Sequence, residues 1–353
     1  MEKRSYYVLG VMSGTSLDGI DFCYARISLG ETFDFEIHKA DTIPYSSYWV
    51  QKLTSVVTLS MNDLDEFNDE YTRYLADSIN IFISKNSIHV IDAVCSHGHT
   101  VFHQPQEGIT LQIGNLPILA KLIQHRIVCD FRPEDVALGG QGAPLVPIGD
   151  RLLFGEYDYC LNLGGFANIS FEYDAQRLAF DVCPVNIVMN HYTRNVGLDF
   201  DDKGSLARMG TLNQELLDEL NALDYYRKSY PKSLGIEWVN EHVFPMIDSY
   251  SMDVNDILRT FVEHIATQIS LSLNSKSGTL LITGGGAYNT FLIEMIKNKT
   301  TTQVVIPSDE VVNFKEALVF GLLGVLKLNG QINCLASVTG ASHDHSSGKI
   351  FLP

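Results

Sequence analysis

The stretch Val8-Leu9-Gly10-Val11-Met12-Ser13-Gly14-Thr15-Ser16-Leu17-Asp18-Gly19-Ile20-Asp21 decides how the rest of the chain is read. A short apolar run, Tyr6 to Leu9, reaches Gly10 and gives way to small polar residues. Two carboxylates follow, Asp18 and Asp21, with Gly19 between them. Beyond them Ile20, Phe22, Tyr24 and Arg26 alternate with Asp21, Cys23, Ala25 and Ile27, the period of a strand. The segment reads as strand, tight turn, strand. Gly14 and Gly19 can take positive φ and let backbone approach a ligand closely, and successive N–H groups and hydroxyls offer a nest for an anion. A carboxylate beside a phosphate is repulsive unless a divalent cation lies between, so Asp18 or Asp21 points to Mg²⁺, with Asp18 holding it directly or through water. An ordinary polar hairpin turn would carry the same residues, so the decision rests on the remaining chain.

Working outward, the opening plan recurs. Tyr159 to Leu163 is a strand, Gly164 to Asn168 a small-residue turn, and Ile169 to Tyr173 the return strand. A third element has the same character: Thr279 to Ile282 is a strand, followed by Thr283-Gly284-Gly285-Gly286-Ala287 and a helix from about Asn289. Glycines at such a strand-to-helix turn bring backbone and a helix N-terminus close to a ligand. Two phosphate-type hairpins imply two lobes gripping a nucleotide from both sides. No GxxxxGK[ST] run is present, and no GxGxxG opens a βαβ unit, so neither a P-loop nor a dinucleotide fold is expected.

The composition agrees. A chain of 353 residues is long for one core, so two domains are expected. A hydrophobic content of 45% with 19% charged residues describes a globular protein. The formal charge of −17 argues against nucleic acid, which rewards basic surface. Cys23, Cys95, Cys129, Cys160, Cys183 and Cys334 form no CxxC pair, which suggests reduced thiols and a cytoplasmic setting. The apolar run after Lys3 and Arg4 is too short for a signal peptide, and no stretch approaches a membrane span.

Between the repeats lie the other candidate groups. Phe33 to Ala40 reads as a third strand. Leu64, Phe67, Tyr71, Leu75, Ile79 and Phe82 mark an amphipathic helix over 62–84. Val90 to Cys95 reads as a strand delivering Ser96-His97-Gly98-His99-Thr100, a plausible site edge. Cys95, His97, His99 and His103 invite a zinc test, but no second cluster follows at zinc spacing. Structural or substrate-binding histidines are expected instead, and His343 and His345 are expected to be solvated tail residues. Leu111 to Ala120 carries Gln112, Gly114 and Asn115, with Pro117 placed to open a helix. Strand Ile127 to Cys129 hands over to Asp130-Phe131-Arg132-Pro133-Glu134-Asp135 and then to the glycine-rich run 139–144. Asp135 is a general-base candidate; equally, it could cap a helix or pair with Arg132. Helices are expected at 211–222, 253–275 and 314–327, the last with Glu316 in an otherwise apolar face.

These residues together resemble the anhydro-N-acetylmuramic acid kinase family. The resemblance runs through Gly10 to Gly19, Ser96 to Gly98, Leu111 to Asn115, Asp130 to Arg132, Asp135 to Ala137, Gly139 to Pro147, Leu161 to Gly165 and Thr283 to Ala287. It implies an α/β fold of the actin/hexokinase/Hsp70 type: two ribonuclease-H-like lobes with a central ATP and sugar cleft. The expected division is residues 1–127, joined by the C-terminal segment 314–353, and residues 128–313. The resemblance further implies use of ATP, Mg²⁺ and water to open the 1,6-anhydro ring and phosphorylate O6, giving N-acetylmuramic acid 6-phosphate in peptidoglycan recycling. Asp135 falls on the catalytic aspartate. Gly14, Thr15, Ser16, Leu17, Asp18, Gly19, Ile20 and Asp21 fall on the ATP segment, with Gly164, Gly165, Asn168, Gly284, Gly285 and Gly286 as further nucleotide contacts. Thr100, His97, Gln112, Arg132 and Glu316 are implied at the sugar, and a homodimer is implied. The chain departs from the family pattern at His99, Val182-Cys183, Asn190, Leu234 and Ile236.

Overall fold

The computed structural model describes residues 4–14, 16–273 and 277–353. The strands in chain order are β1 (Ser5–Ser13), β2 (Gly19–Ser28), β3 (Asp34–Pro44), β4 (Ala93–Gln104), β5 (Ile109–Ile113), β6 (Ile127–Cys129), β7 (Tyr159–Leu163), β8 (Phe166–Tyr173), β9 (Gln176–Pro184), β10 (Thr279–Thr283), β11 (Gln303–Val305) and β12 (Lys349–Phe351). The chain divides into two compact units, Met1–Leu153 with Phe314–Pro353, and Phe154–Asn313. The first boundary lies at 153/154 and not at the expected 127/128. β6 explains the shift: it pairs parallel with β4 and antiparallel with β12, so it belongs inside the first sheet.

The sheet of the first unit runs β12-β6-β4-β1-β2-β3, with β5 paired to β4. The sheet of the second runs β11-β10-β7-β8-β9. In each, three antiparallel strands form a meander, and a fourth and fifth add in parallel beside the first strand. With the hairpin strand β5 and the edge strand β12 set aside, each sheet has the order 3-2-1-4-5 when its strands are numbered within its own unit. This is the ribonuclease-H-like plan, present twice.

In the first unit, helix Met61–Lys85 buries Leu64, Phe67, Tyr71, Leu75, Ile79 and Phe82 along one face. It starts where Ser60 accepts from the backbone N–H of Asp63, a side-chain cap. Phe82 stacks on Phe22 of β2 at 4.9 Å between ring centroids; burying each such ring contributes roughly 1.5–3 kcal/mol. The strand expected at Val90 begins instead at Ala93 and continues to Gln104, because Val90 is exposed and the continuous burial of a central parallel strand begins only at Ala93. Gly98, at φ +75°, makes a bulge in this strand where the pairing with β1 slips.

In the second unit, helix Val254–Ser272 buries Ile257, Leu258, Phe261, Val262, Ile265, Ala266 and Ile269 in the core beneath β7–β10. The last long helix, Asp309–Leu328, begins earlier than expected. Gly10 of β1 packs directly on it: a Cβ there would stand 1.8 Å from the carbonyl oxygen of Ala317. Among the described residues no helix is long and apolar enough to cross a membrane, and all six cysteines are buried and unpaired with one another.

Candidate active site

The opening hairpin forms as read, but its turn is stabilised differently. β1 runs through Met12 and Ser13, and the turn covers 14–18; Thr15 lies outside the described residues. Neither Gly14 nor Gly19 takes a positive φ. Leu17 does, at 59°. Gly19 is small for another reason, since a Cβ would meet the carbonyl oxygen of Ile43 at 2.6 Å. Ile20 of β2 is buried in the hydrophobic core of the first unit. The hydroxyl of Ser16 donates to Asp18 Oδ1 at 2.6 Å, and Asp18 is exposed.

Beneath the turn lies a buried polar network. The hydroxyls of Ser13 and Tyr45 are 2.6 Å apart, Tyr45 and Tyr71 are 2.6 Å apart, and Ser13 meets Nδ1 of His99 at 2.9 Å. Burial holds His99 neutral, its imidazole pushed down to about 4. A satisfied network of this kind rigidifies the strand end that carries the turn. Asp21 accepts from the Thr42 hydroxyl at 2.6 Å. Burial raises its carboxyl to about 6, and the negative charges of Asp18 and Glu316 push the same way.

A second cluster in the same unit gathers Arg132, His97, Glu316 and Asp135. Arg132 Nε–H donates to His97 Nε2 at 2.9 Å, so His97 Nδ1 carries the proton and donates to the carbonyl of Gly98 at 2.8 Å. Burial and the adjacent guanidinium hold His97 well below its usual range. Arg132 also donates to the carbonyl of Gly142 at 2.5 Å, and burial lowers it to about 10 while Glu316 opposes. Glu316 is open to solvent on one side and crowded by protein on the others. The crowding raises its carboxyl, against the pull of Arg132 and Lys315. Gln112 and Thr100 face each other across β5 and β4; the Gln112 amide donates to Thr110 at 3.0 Å and lies 3.5 Å from Thr100.

Asp135 is 0% exposed. Its carboxylate neither caps the helix Pro133–Ala137 nor turns to Arg132. Oδ2 accepts from the backbone N–H of Gly142 at 2.6 Å; Oδ1 accepts from the Thr339 hydroxyl at 2.7 Å and the Cys334 thiol at 3.0 Å. Gly140 lies flat on it, because a Cβ there would fall 2.2 Å from Oδ2.

In the second unit the two glycine turns adjoin. β7 and β10 are parallel neighbours with Asn162 opposite Thr283, so both turns leave the same end of the sheet. Gly164-Gly165 alone makes the β7–β8 turn, and β8 already begins at Phe166. The carbonyl of Gly165 accepts from the N–H groups of Val185 and Ile187. Gly284 sits at φ +82°, and a Cβ on it would lie 2.4 Å from the Asn162 amide oxygen. Gly286 packs on Leu163, whereas Gly285 is open, with nothing within 4 Å of a Cβ. Gly285 and Gly286 begin a short 3₁₀ turn, Gly285–Tyr288, that leads into helix Thr290–Lys299, whose N-cap is Asn289. Asn168 donates to Asp181, which also accepts from the N–H of Leu234 at 2.8 Å.

Two expectations about histidines resolve. Cys95, His97, His99 and His103 do not converge on a metal: His97 Nε2 is engaged by Arg132, and Cys95 packs beneath Gly324. His345 is not a solvated tail residue. It is buried, bridged to Cys334, with Nε2 3.5 Å from Asp135 Oδ1. Only the fold of the C-terminal segment against β6 puts it there. His343 is exposed, as expected.

Comparison with known proteins completes the picture. The family model for anhydro-N-acetylmuramic acid kinase matches residues 6–353. The chain is 31% identical to the anhydro-N-acetylmuramic acid kinase of Haemophilus influenzae, over 99% of each chain. It is 34% identical to that of Aliivibrio fischeri, over 97% of this chain and 98% of the relative. Among solved structures it is similar to component A of the Acidaminococcus fermentans (R)-2-hydroxyglutaryl-CoA dehydratase, at 10% identity, covering 90% of this chain and 96% of that one, with a TM-score of 0.45. With its two ribonuclease-H-like sheets and its full-length match, the chain belongs to the anhydro-N-acetylmuramic acid kinase family.

Proposed function

We propose that this protein is an ATP-dependent kinase that opens the 1,6-anhydro bridge of anhydro-N-acetylmuramic acid with water and phosphorylates O6. The observation that carries the reading is the match to kinases of that name over 99% of both chains. In the reaction a water oxygen bonds to C1 as the C1–O6 bond breaks. O6 takes the γ-phosphoryl group of ATP, ADP leaves, and the water proton passes to a base. Asp135 is the carboxylate assigned to that proton, in the manner of a glycosidase base. Gly142 N–H and the backbone of Gly140 cover Oδ2, so in this reading the glycine run 139–144 lifts to let water reach that oxygen. Gly139 and Gly142, at φ +84° and +67°, are the positions able to absorb that change.

Arg132, held by His97 and Gly142, and Glu316 are assigned to the sugar, with Gln112 and Thr100 at the rim. The opening turn, Gly164-Gly165, Asn168 and Gly284 to Gly286 are assigned to the nucleotide, where backbone N–H groups can face phosphates. Mg²⁺, when bound, supplies charge neutralisation at the phosphates. The residues present fit it: Asp21 is raised by its own burial and by two neighbouring carboxylates, a concentration of negative charge that a cation relieves. Asp18 and Asp21 would hold it. Incubation with ATP, the anhydrosugar and oxygen-18 water tests the reading. A 6-phosphate labelled at C1 is expected. A phosphorylated product without label would mean a different sugar kinase, and no product would mean a binding protein.

A further inference from the structure

The C-terminal segment places two metal-ligating atoms against the buried carboxylate of Asp135. Cys334 and His345 are joined by a β-bridge, with Cys334 N–H donating to the His345 carbonyl at 3.1 Å and His345 N–H returning to Cys334 at 3.2 Å. Asn333 fastens the bridge by donating to the carbonyls of Leu323 and Ser347 at 3.0 and 2.9 Å. Ser347 donates to the carbonyl of Phe131 at 2.6 Å, which ties the segment to the strand leading into Asp135. The Asp135 carboxylate, Cys334 Sγ and a His345 ring nitrogen all lie within 4.8 Å of one another, and all three residues are buried.

The donors are arranged as ligands. His345 Nδ1 faces the carbonyl of His343 at 3.1 Å and so carries the ring proton. That leaves the lone pair on Nε2, which makes no hydrogen bond among the described residues and points at Asp135 Oδ1 from 3.5 Å. A histidine that gives one N–H to a carbonyl and turns the other nitrogen inward is the usual posture of a metal ligand. The His345–Asp135 separation, 3.5 Å, is near the roughly 3.4–3.6 Å that tetrahedral zinc imposes on its ligand atoms, and the 3.0 Å between Cys334 and Asp135 is a thiol hydrogen bond that would lengthen when the metal takes the place of its proton. The Gly142 N–H orients the carboxylate through Oδ2, while the Thr339 hydroxyl shares Oδ1 with Cys334.

We propose that Asp135, Cys334 and His345 bind a zinc-class divalent cation. The Cys334 S–H bond breaks, its proton leaves to solvent, and S–Zn, N–Zn and O–Zn bonds form. One thiolate and one carboxylate then balance the 2+ charge, so the buried centre is neutral and avoids the desolvation cost of an isolated ion. Burial and Asp135 disfavour the free thiolate, so the metal must displace the proton directly. The consequence for activity, resting on the kinase reading above, is that a metal-bound Asp135 can no longer accept a proton, so zinc inhibits turnover.

The test titrates the full chain with Co²⁺ and records the near-ultraviolet thiolate-to-cobalt charge-transfer band. One equivalent is expected to bind, with Zn²⁺ displacing it. Cys334→Ser should abolish the band, and His345→Gln should weaken binding by more than the ~10–100-fold typical of losing an outer partner. No band in the parent protein, or an unchanged band in Cys334→Ser, would overturn the site. Circular dichroism of both variants separates lost binding from lost fold. A band from protein that never turns over the anhydrosugar would retain the site and reject the kinase reading. Turnover without a band would do the reverse.

Discussion

The two units carry the same strand order and differ in what stands behind the first turn. In the first unit the β1–β2 turn carries Asp18, Asp21 follows it under the influence of Glu316, and His99 meets Ser13 at the end of β1. In the second, β7 and β8 turn on Gly164-Gly165 alone, and the sheet rests on an apolar core of Leu161, Ile169, Val188, Phe261, Ile265 and Ile282. Hydrophobic alternation is enough to build the plan twice. The first copy also encloses the polar cluster of Arg132, His97 and Asp135, and such groups are costly to bury unless paired.

That contrast can be broken first at Asp135. Asp135→Asn keeps the shape and the acceptor on one side but removes the base. Turnover of the anhydrosugar should fall about 10²–10⁴-fold in a steady-state assay, while a second-unit change such as Asp181→Asn leaves the proton transfer itself in place. A turnover number unchanged in Asp135→Asn would remove it from the base role.

The next effect is on stability. Lys315 and Asp150 form an ion pair at 2.6 Å with both side chains 6% exposed. Lys315→Met strips the buried carboxylate of its ammonium partner and should lower unfolding free energy by about 3–5 kcal/mol, with Lys315→Met/Asp150→Leu recovering much of it. Chemical denaturation of the three proteins measures this. Equal stability of the single variant and the parent would mean that the pair contributes nothing net.

Glycines sharpen the comparison at smaller scale. Gly10→Ala drives a Cβ into the Ala317 carbonyl and should cost about 1–3 kcal/mol or more. Gly165→Ala meets only Ile187 at 3.8 Å, so its stability should shift by less than about 1 kcal/mol, while ATP binding weakens. Thermal melts and nucleotide titration distinguish the two; a large melting change in Gly165→Ala would reverse the assignment.

The last effect is a pH slope. Asp21 is raised from 3.8 to about 6 in the folded protein, so between those values the folded state binds more protons than the unfolded one. Stability should therefore fall as pH rises through this window. In Asp21→Asn that component of the slope should disappear, and Mg²⁺ with nucleotide should suppress it in the parent. A slope of the same size in the variant would place the titration elsewhere.

Much of this was readable in one dimension. The period-2 alternation after Asp18 and its return at Tyr159 announce two meanders, and the spacing of Leu64 to Phe82 announces the helix between β3 and β4. The strings around Asp135 and Arg132 name the candidate site. Other features needed space. Gly14 and Gly19 suggest positive φ, yet Leu17 takes it, because the turn is shaped by its anchors in β1, β2 and β3. The boundary near residue 127 misplaces β6, since a three-residue apolar strand gives no hint of which sheet will accept it.

By itself the order of residues determined the strand pattern, the glycine turns and the family, because alternation and contiguous motifs are local properties of a chain. Tertiary structure alone decided that His345 and Cys334 lie against Asp135, that Gly10 lies against Ala317, and that the carboxylate assigned to proton transfer is enclosed. These are meetings between residues far apart in sequence. They depend on which faces exclude water together, and that is a property of the packed chain.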